Sequence, residues 1–589
     1  MKTLRDLVTP CLLLTAWLAA TTSTFTYGQR ETENASAPEP ASGYTEKKVV
    51  TTKEYMVVAA NITAVEAGIK ILDAGGSATD AAITVQMVLN LIEPQSSGIG
   101  GGAFMMHFDA QQSAVSAYDG REVAPMGVTP ELFLGTDGKP IRFANAVIGG
   151  RSVGVPGVLR MLELAHARHG KLPWARLFEP AIALAEKGFA MTPRTHAQIA
   201  RDTGLKADAN ARAYFYLPDG TAKPAGAILK NPEFAAVLKR IAREGPDAFY
   251  LGAIARDVAA AVRSHATNPG KLSEQDLRDY RARTLEPVCG KYRAYKICGA
   301  PPPSAGGIAI LQILGALERF DMKALRPGST EAIHLITEAE RLAYADRERF
   351  AGDDRFTSVP VAGLIAPTYI RQRSELIRPE KTMGRAEAGS PAGIQVAMAD
   401  GESLEFPSTS QISIVDVAGN AVSMTTSIES GLGSRIFVHG FLLNNQLTDF
   451  SMLPISNGRP VANAVYPGKR PRSAMSPTLV FNDQDKLHMV IGSPGGPAII
   501  NYVAKTLIAT LDWGMDMQSA ISLPNFGSRN GPTEIEKDTA IENLLGPLKS
   551  IGHEVRTIEL NSGLHGIMRT SSGWQGGADP RREGFAKGK

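Results

Sequence analysis

Cysteine is scarce in this chain. Three residues in 589 exclude a disulfide-dense scaffold and a cysteine-based zinc array. Neither charge sign dominates: 62 Lys and Arg against 59 Asp and Glu leave a net +3, with both signs spread along the chain. That balance offers no electrostatic footprint for nucleic acid or an anionic membrane. No segment after the N-terminal region provides the uninterrupted apolar run that a membrane span needs. The ten His include no H-E-x-x-H motif. What is present is ordinary globular composition, 43% hydrophobic and 21% charged, which supplies a large core and excludes a disordered chain. The 58 Gly and 37 Pro predict many tight turns.

The N-terminus reads as an address. Lys2 and Arg5 precede an apolar run from Cys11 to Ala20, and Thr21, Thr22 and Ser23 follow. This is the order of a secretory signal peptide, placed at 1–28, and an uncleaved anchor is its alternative. Export is therefore expected. Cys289 and Cys298 flank two short strands joined by a turn at Arg293-Ala294, which sets the two sulfurs opposite each other. They form either a cross-strand disulfide or two packed thiols.

The periodicity predicts mixed helix and strand, α/β or α+β. Residues 61–94 form two helices broken at Gly75-Gly76. A Gly-rich loop, 98–102, leads into a strand over 103–108. Long helices are expected near 157–169, 174–187 and 330–349. Residues 385–408, rich in Gly, Ala, Pro and acids, read as a flexible linker. A β-hairpin follows, with strands from Thr409 and from Ala421 and a turn at Gly419-Asn420. A strand over 486–491 leads through Gly492-Ser493-Pro494-Gly495-Gly496 into a helix over 497–511.

Some motifs mislead. Gly150-Arg151-Ser152-Val153-Gly154 matches a serine-hydrolase elbow, but Pro156 delays the helix that such an elbow requires. The 98–103 loop has a helix before it and a strand after it, the reverse of a dinucleotide fingerprint. His166 and His169 share a helix face with no third ligand nearby and read as a solvated face.

Several segments, in order from about residue 55 to 584, resemble the γ-glutamyltranspeptidase family. They are Glu93-Pro94-Gln95-Ser96-Ser97 with the glycine loop, Asp119-Gly120-Arg121-Glu122, and Pro301-Pro302-Pro303-Ser304. Further along come Leu442-Leu443-Asn444-Asn445-Gln446, Asp449-Phe450-Ser451, Arg472-Ser473-Ala474-Met475-Ser476, the 492–496 loop and Ala578-Asp579-Pro580-Arg581-Arg582. The resemblance implies an α+β N-terminal-nucleophile hydrolase fold, two sheets between helical layers. It implies a precursor that cuts itself before Thr409, giving a large subunit (29–408) and a small subunit (409–589) of 589 − 408 = 181 residues that stay together as a heterodimer. The freed α-amine, with a pKa of about 7.7–8.0, would serve as the base that a Thr hydroxyl needs.

By the same resemblance Ser427 bonds to the nucleophile, and Gly495 and Gly496 supply oxyanion-hole amides. Arg121 and Ser473 clamp a glutamate α-carboxylate. Gln446, Asp449 and Glu429 line the α-amino pocket. The expected donor is glutathione or another γ-glutamyl compound, and the acceptor is water, an amino acid or a peptide. No metal, organic cofactor or nucleic acid is called for. The chain departs from the family pattern at Gln411, Ala474 and Glu429, in Pro497-Ala498, and in a short 451–467 stretch that implies a more open pocket. These changes leave open an acylase of the same fold acting on another acyl amide, such as a cephalosporin side chain. A non-catalytic exported binding protein is the rival of a different class.

Overall fold

The alternating run after Ser408 forms the strand Thr409–Val415, and its partner is Ala421–Ser427. Asp416 closes the turn between them. Its carboxylate accepts from Ala418 N and Asn420 N at 2.9 and 3.0 Å, and Gly419 takes the left-handed φ of 84°. In the antiparallel register Thr409 stands opposite Ser427. The computed structural model describes residues 43–401, 403, 405, 406 and 408–589. The 1–28 leader lies outside the described residues.

This hairpin is the centre of a seven-stranded antiparallel sheet. Its order is Phe585–Gly588, Met56–Ala59, Thr409–Val415, Ala421–Ser427, Gly102–Asp109, Ala114–Asp119 and Arg283–Leu285. A second seven-stranded sheet runs Val50–Thr52, Gly573–Ala578, His565–Thr570, Leu487–Gly492, Thr478–Phe481, Tyr295–Gly299 and Val288–Tyr292. The two sheets face each other. Phe108 and Phe481 meet edge to face at 5.0 Å, and Ser413 and Ser423 donate across the interface to the His565 and Ile491 carbonyls at 2.9 and 2.8 Å.

Helices cover both outer faces. Ile62–Asp73, Ala78–Ile92 and Val158–His169 pack with Val57, Met105, Ile412, Ile414 and Met424 of the first sheet. Gly306–Leu317, Thr330–Phe350 and Ile499–Leu511 pack in the core that includes Leu479, Val490 and Ile567 of the second. The result is the four-layer α+β sandwich. Strand alternation explains the sequence pattern of the Thr409 strand. Ile412 and Ile414 point to helices, while Gln411 and Ser413 are buried between sheets with their polar atoms paired.

Several expectations are met and some are refined. The 61–94 helices break as read, with Ser77 and Asp80 forming a capping box for the second. The 174–187 helix is a 3₁₀ turn, Trp174–Phe178, followed by Glu179–Lys187. Cys289 and Cys298 are paired in register across the hairpin and disulfide-bonded. The described part of 385–408 carries no helix or strand but is fastened to the body. Ala386 exchanges hydrogen bonds with Asn530, Gly389 N donates to Asp346, and Gly401 N donates to the Glu348 carbonyl. Among the described residues no helix is long and apolar enough to cross a membrane.

The glycine loop has a steric task. A Cβ on Gly101 would lie 2.1 Å from the Ser427 carbonyl oxygen. Gly101→Ala is therefore expected to destabilise the chain by about 1–3 kcal/mol in urea unfolding. Gly531→Ala, with no atom within 4 Å of the added carbon, is the control expected to leave the midpoint unchanged.

Candidate active site

The segments that carry the resemblance converge on Thr409. Ser408 Oγ donates to the Gln95 carbonyl at 2.8 Å, and Ser410 Oγ donates to Glu93 Oε2 at 3.0 Å. The Glu93–Ser97 segment thus grips the residues on both sides of Thr409. Arg582, from the 578–584 motif, donates to the Thr409 carbonyl at 3.3 Å. The Pro301–Ser304 turn holds Ser473: Ser473 N donates to the Pro303 carbonyl at 3.1 Å, and Ala305 N to the Ser473 carbonyl at 2.9 Å. Asn444 spans two loops, donating to the Gly100 and Gly154 carbonyls at 2.8 and 2.9 Å.

A small cavity opens beside Thr409. Thr409, Ser427, Gly496, Arg121, Glu429, Gln446, Asp449 and Ser473 all line it. Gly495 adjoins it, at a φ of 140° that positions the turn into Gly496. No residue of 451–467 is in the lining, and Gln411 is elsewhere, bonded to Ser423 and Thr425 between the sheets.

The hydroxyls form a chain. Thr409 Oγ1 donates to Ser427 Oγ at 3.1 Å, and Ser427 Oγ donates to the Ser408 carbonyl at 2.8 Å. Glu429 N donates to Ser427 Oγ at 2.8 Å and fixes it. The carbonyl of the bond preceding Thr409 is thus polarised by the hydroxyl that also accepts the Thr409 proton.

The charged groups are buried together. Arg121 pairs with Asp449 and also donates to the Pro471 and Arg472 carbonyls at 3.2 and 2.7 Å. Burial pushes the Asp449 carboxyl up to about 6 against the pull of Arg121. Gln446 Nε2 donates to Asp449 Oδ2 at 2.7 Å. Among the described residues, Asp449 Oδ1 and Gln446 Oε1 are buried acceptors without a hydrogen-bond partner. Burial, then the nearby Asp449, raises the Glu429 carboxyl well above the usual range. It accepts from Phe406 N at 2.7 Å and from Asn445. Ala474 leaves Ser473 as the one side-chain hydroxyl of the Ser473-Ala474 pair, and Ser473 Oγ also accepts from Met475 N at 3.1 Å.

Other candidates fall away. Ser152 is buried in a 3₁₀ turn and donates to the Val147 carbonyl at 2.7 Å, so it is a packed turn residue. His166 and His169 are half-buried rather than solvated; His169 stacks on His107 at 3.6 Å and bonds to Tyr118 at 2.7 Å. The sequence reading overlooked His334, Glu338 and His553, three buried groups with metal-ligand atoms within 4.8 Å of one another. They are joined to each other and to neighbours: His334 to His553 at 2.7 Å and to the Arg378 carbonyl at 2.8 Å, His553 to Thr533 at 2.7 Å, and Glu338 to Thr382 and Met383 N at 2.6 Å. None lines the cavity. Glu405, Phe406 and Met475 do line it and were also missed.

The gamma-glutamyltranspeptidase family model matches residues 64–589. The chain belongs to the γ-glutamyltranspeptidase family. It is 37% identical over 567 residues to the glutathione hydrolase proenzyme of Bacillus subtilis, covering 94% of this chain and 95% of that one. It is 34% identical to the Acylase ACY 1 proenzyme of a Pseudomonas species, covering 92% and 95%. The crystal structure of cephalosporin acylase from Bacillus halodurans superposes with a TM-score of 0.81 at 26% identity, covering 93% and 98%. The fold is that of the family's N-terminal-nucleophile hydrolases.

The raised Asp449 carboxyl sets a pH dependence. The folded chain binds more protons than the unfolded one between the ordinary 3.8 and about 6. Stability present below that window is therefore lost as pH rises through it. In a Thr409→Ala background, Asp449→Asn is expected to flatten this fall in urea unfolding across the window.

Proposed function

We propose that this γ-glutamyltranspeptidase-family protein is a self-processing γ-glutamyl hydrolase and transferase with Thr409 as nucleophile. The observation that carries the reading is the hydroxyl chain from Thr409 through Ser427 to the Ser408 carbonyl. Thr409 Oγ attacks the Ser408 carbonyl carbon while its proton passes to Ser427, which protonates the carbonyl oxygen. The Thr409 nitrogen then leaves with a proton, and an ester joins Ser408 to the Thr409 oxygen. Water opens that ester, giving a Ser408 carboxylate and a free Thr409 amine.

The freed amine sits on the nucleophile's own residue, so it takes the hydroxyl proton without ordering a second group. Attack on a γ-glutamyl carbonyl expels the amine product and forms a γ-glutamyl ester on Thr409. Water or an acceptor amine resolves it. The Gly495-Gly496 turn borders the reacting carbonyl, where backbone amides stabilise the developing oxyanion. The two unpartnered acceptors, Asp449 Oδ1 and Gln446 Oε1, suit the donor's α-ammonium. Ser473 and Arg121 serve the α-carboxylate. The name of the Bacillus subtilis relative points to glutathione as donor.

The second reading, an acylase for a donor without the ammonium, is favoured by Glu429 and Ala474. Burial works against a charged Glu429 in the α-amino pocket, and Ala474 removes a hydroxyl from the carboxylate side. Export is supported by the leader-like N-terminus and by the Cys289–Cys298 bond, which persists in an oxidising compartment. The two products of the cut stay together as a heterodimer, because Thr409–Val415 lies between Met56–Ala59 and the Ala421–Ser427 strand, which in turn pairs with Gly102–Asp109.

Thr409→Ala is expected to leave a single inactive chain, whereas Ser152→Ala is cut and active like the wild type. A Thr409→Ala protein that keeps full activity would sink the proposal. Ser427→Ala is expected to slow the cut by about 10²-fold, followed on denaturing gels. Matched γ-glutamyl and glutaryl p-nitroanilides separate the two donor readings: the proposal expects the γ-glutamyl compound to have the higher kcat/KM, and Asp449→Asn to narrow the gap.

A further inference from the structure

The cavity wall includes residues that precede the cut. Glu405 and Phe406 line it beside Thr409, so part of the segment ahead of the proposed cut forms the pocket wall in the uncut chain. Its described residues carry neither helix nor strand, yet the Ser408 carbonyl is presented to Ser427 Oγ at 2.8 Å.

What holds it is a buried charge cluster. Glu405 pairs with Arg347, and Arg472 Nε lies 3.9 Å from the same carboxylate oxygen. Glu348 bridges the two guanidinia from the other side, pairing with Arg347 and accepting from Arg472 Nη2 at 2.7 Å. Arg472 Nη2 also donates to Ser403 Oγ at 2.8 Å and to the Gly401 carbonyl at 3.1 Å, and Ser403 Oγ donates to Glu405 at 3.1 Å. Arg347, Arg472 and Glu405 are all buried, and two positive charges face two negative ones. Removing one carboxylate would leave a buried guanidinium uncompensated. Phe406 adds a polar and an apolar anchor: its N–H donates to Glu429, and its ring stacks on Phe143 at 4.7 Å.

We infer that Glu405 is a positioning residue for the self-cleavage: seated on Arg347 and Arg472, it sets the register in which the Ser408 carbonyl meets Ser427. The inference rests on the self-processing reading. It carries a signature that a general structural role would not. Glu405 belongs to the fragment that ends at Ser408, so its influence ends once the bond is cut and the segment withdraws for substrate. A Glu405 variant is slow to mature and ordinary once mature.

The test follows conversion of the purified uncut full chain to two fragments for wild type, Glu405→Gln and Glu405→Asp. It then measures kcat and KM of each matured enzyme with γ-glutamyl-p-nitroanilide. Glu405→Gln is expected to cut about tenfold or more slowly. Glu405→Asp, which keeps the charge but retracts the carboxylate, is expected to be slowed by a smaller factor of about threefold. Both matured enzymes are expected to match wild-type kcat and KM within about twofold. In a Thr409→Ala background, Glu405→Gln is expected to unfold cooperatively. If it does not fold, the Glu405→Asp rate decides. Wild-type cutting rates in both variants overturn the inference, and so does an altered kcat/KM after maturation. A wild-type chain that never cuts overturns the self-processing reading and this inference with it, whereas a cutting wild type with unaffected variants overturns this one alone.

Discussion

Everything at this site depends on one cross-strand pair. Thr409 and Ser427 face each other at the end of the central hairpin, and their hydroxyls meet because the register of that hairpin puts them there. A one-residue slip would turn both side chains to the helical face. The register is held from several directions. Gln411, Ser413 and Ser423 bond between the sheets, Ser410 bonds to Glu93, and Arg582 reaches the Thr409 carbonyl. Gly101 lets the neighbouring loop close on the Ser427 carbonyl. Thr409 is thus placed by strand geometry, which suits the proposed chemistry, since that tolerates little displacement.

The pocket beside that pair stores buried charge. Arg121, Asp449 and Glu405 line it, and Arg347, Arg472 and Glu348 lie behind Glu405, so three positive groups meet three negative ones. Such groups add little net stability, because desolvation offsets their attraction. Their use lies elsewhere. On the proposed function, the unpartnered oxygens of Asp449 and Gln446 are the groups for a donor, and the Arg347–Arg472 cluster seats the segment ahead of Thr409. The same enclosure that raises the Asp449 and Glu429 carboxyls makes the pocket sensitive to which ligand group enters it.

Much of this was legible in the sequence, for identifiable reasons. The hairpin at 409–427 announces itself by alternation and a Gly-Asn turn, and the 61–94 helices by Gly75-Gly76. The disulfide partners were placed opposite by counting from the turn. The motif residues could be gathered into one site only through the resemblance, since Arg121, Ser427, Asp449 and Ser473 lie far apart along the chain and share no local pattern. What was not legible depends on three-dimensional neighbours. That Arg121 pairs with Asp449, that burial raises the Glu429 carboxyl, and that Glu405 meets Arg347 and Arg472 are consequences of packing, not of spacing. Residues 385–408 show the limit well: the weak periodicity fits the lack of helix and strand in the described residues, but says nothing of anchors such as Asn530 and Asp346.

The claim on which the account stands is that the Ser408–Thr409 bond is cut by the chain itself. The direct measurement is the intact mass and N-terminal sequence of the fragments formed when the purified uncut chain is incubated alone. The account predicts a small fragment of 181 residues that begins Thr409-Ser410-Gln411, formed at a rate independent of protein concentration. A chain that stays whole, or one cut at another bond, would contradict it.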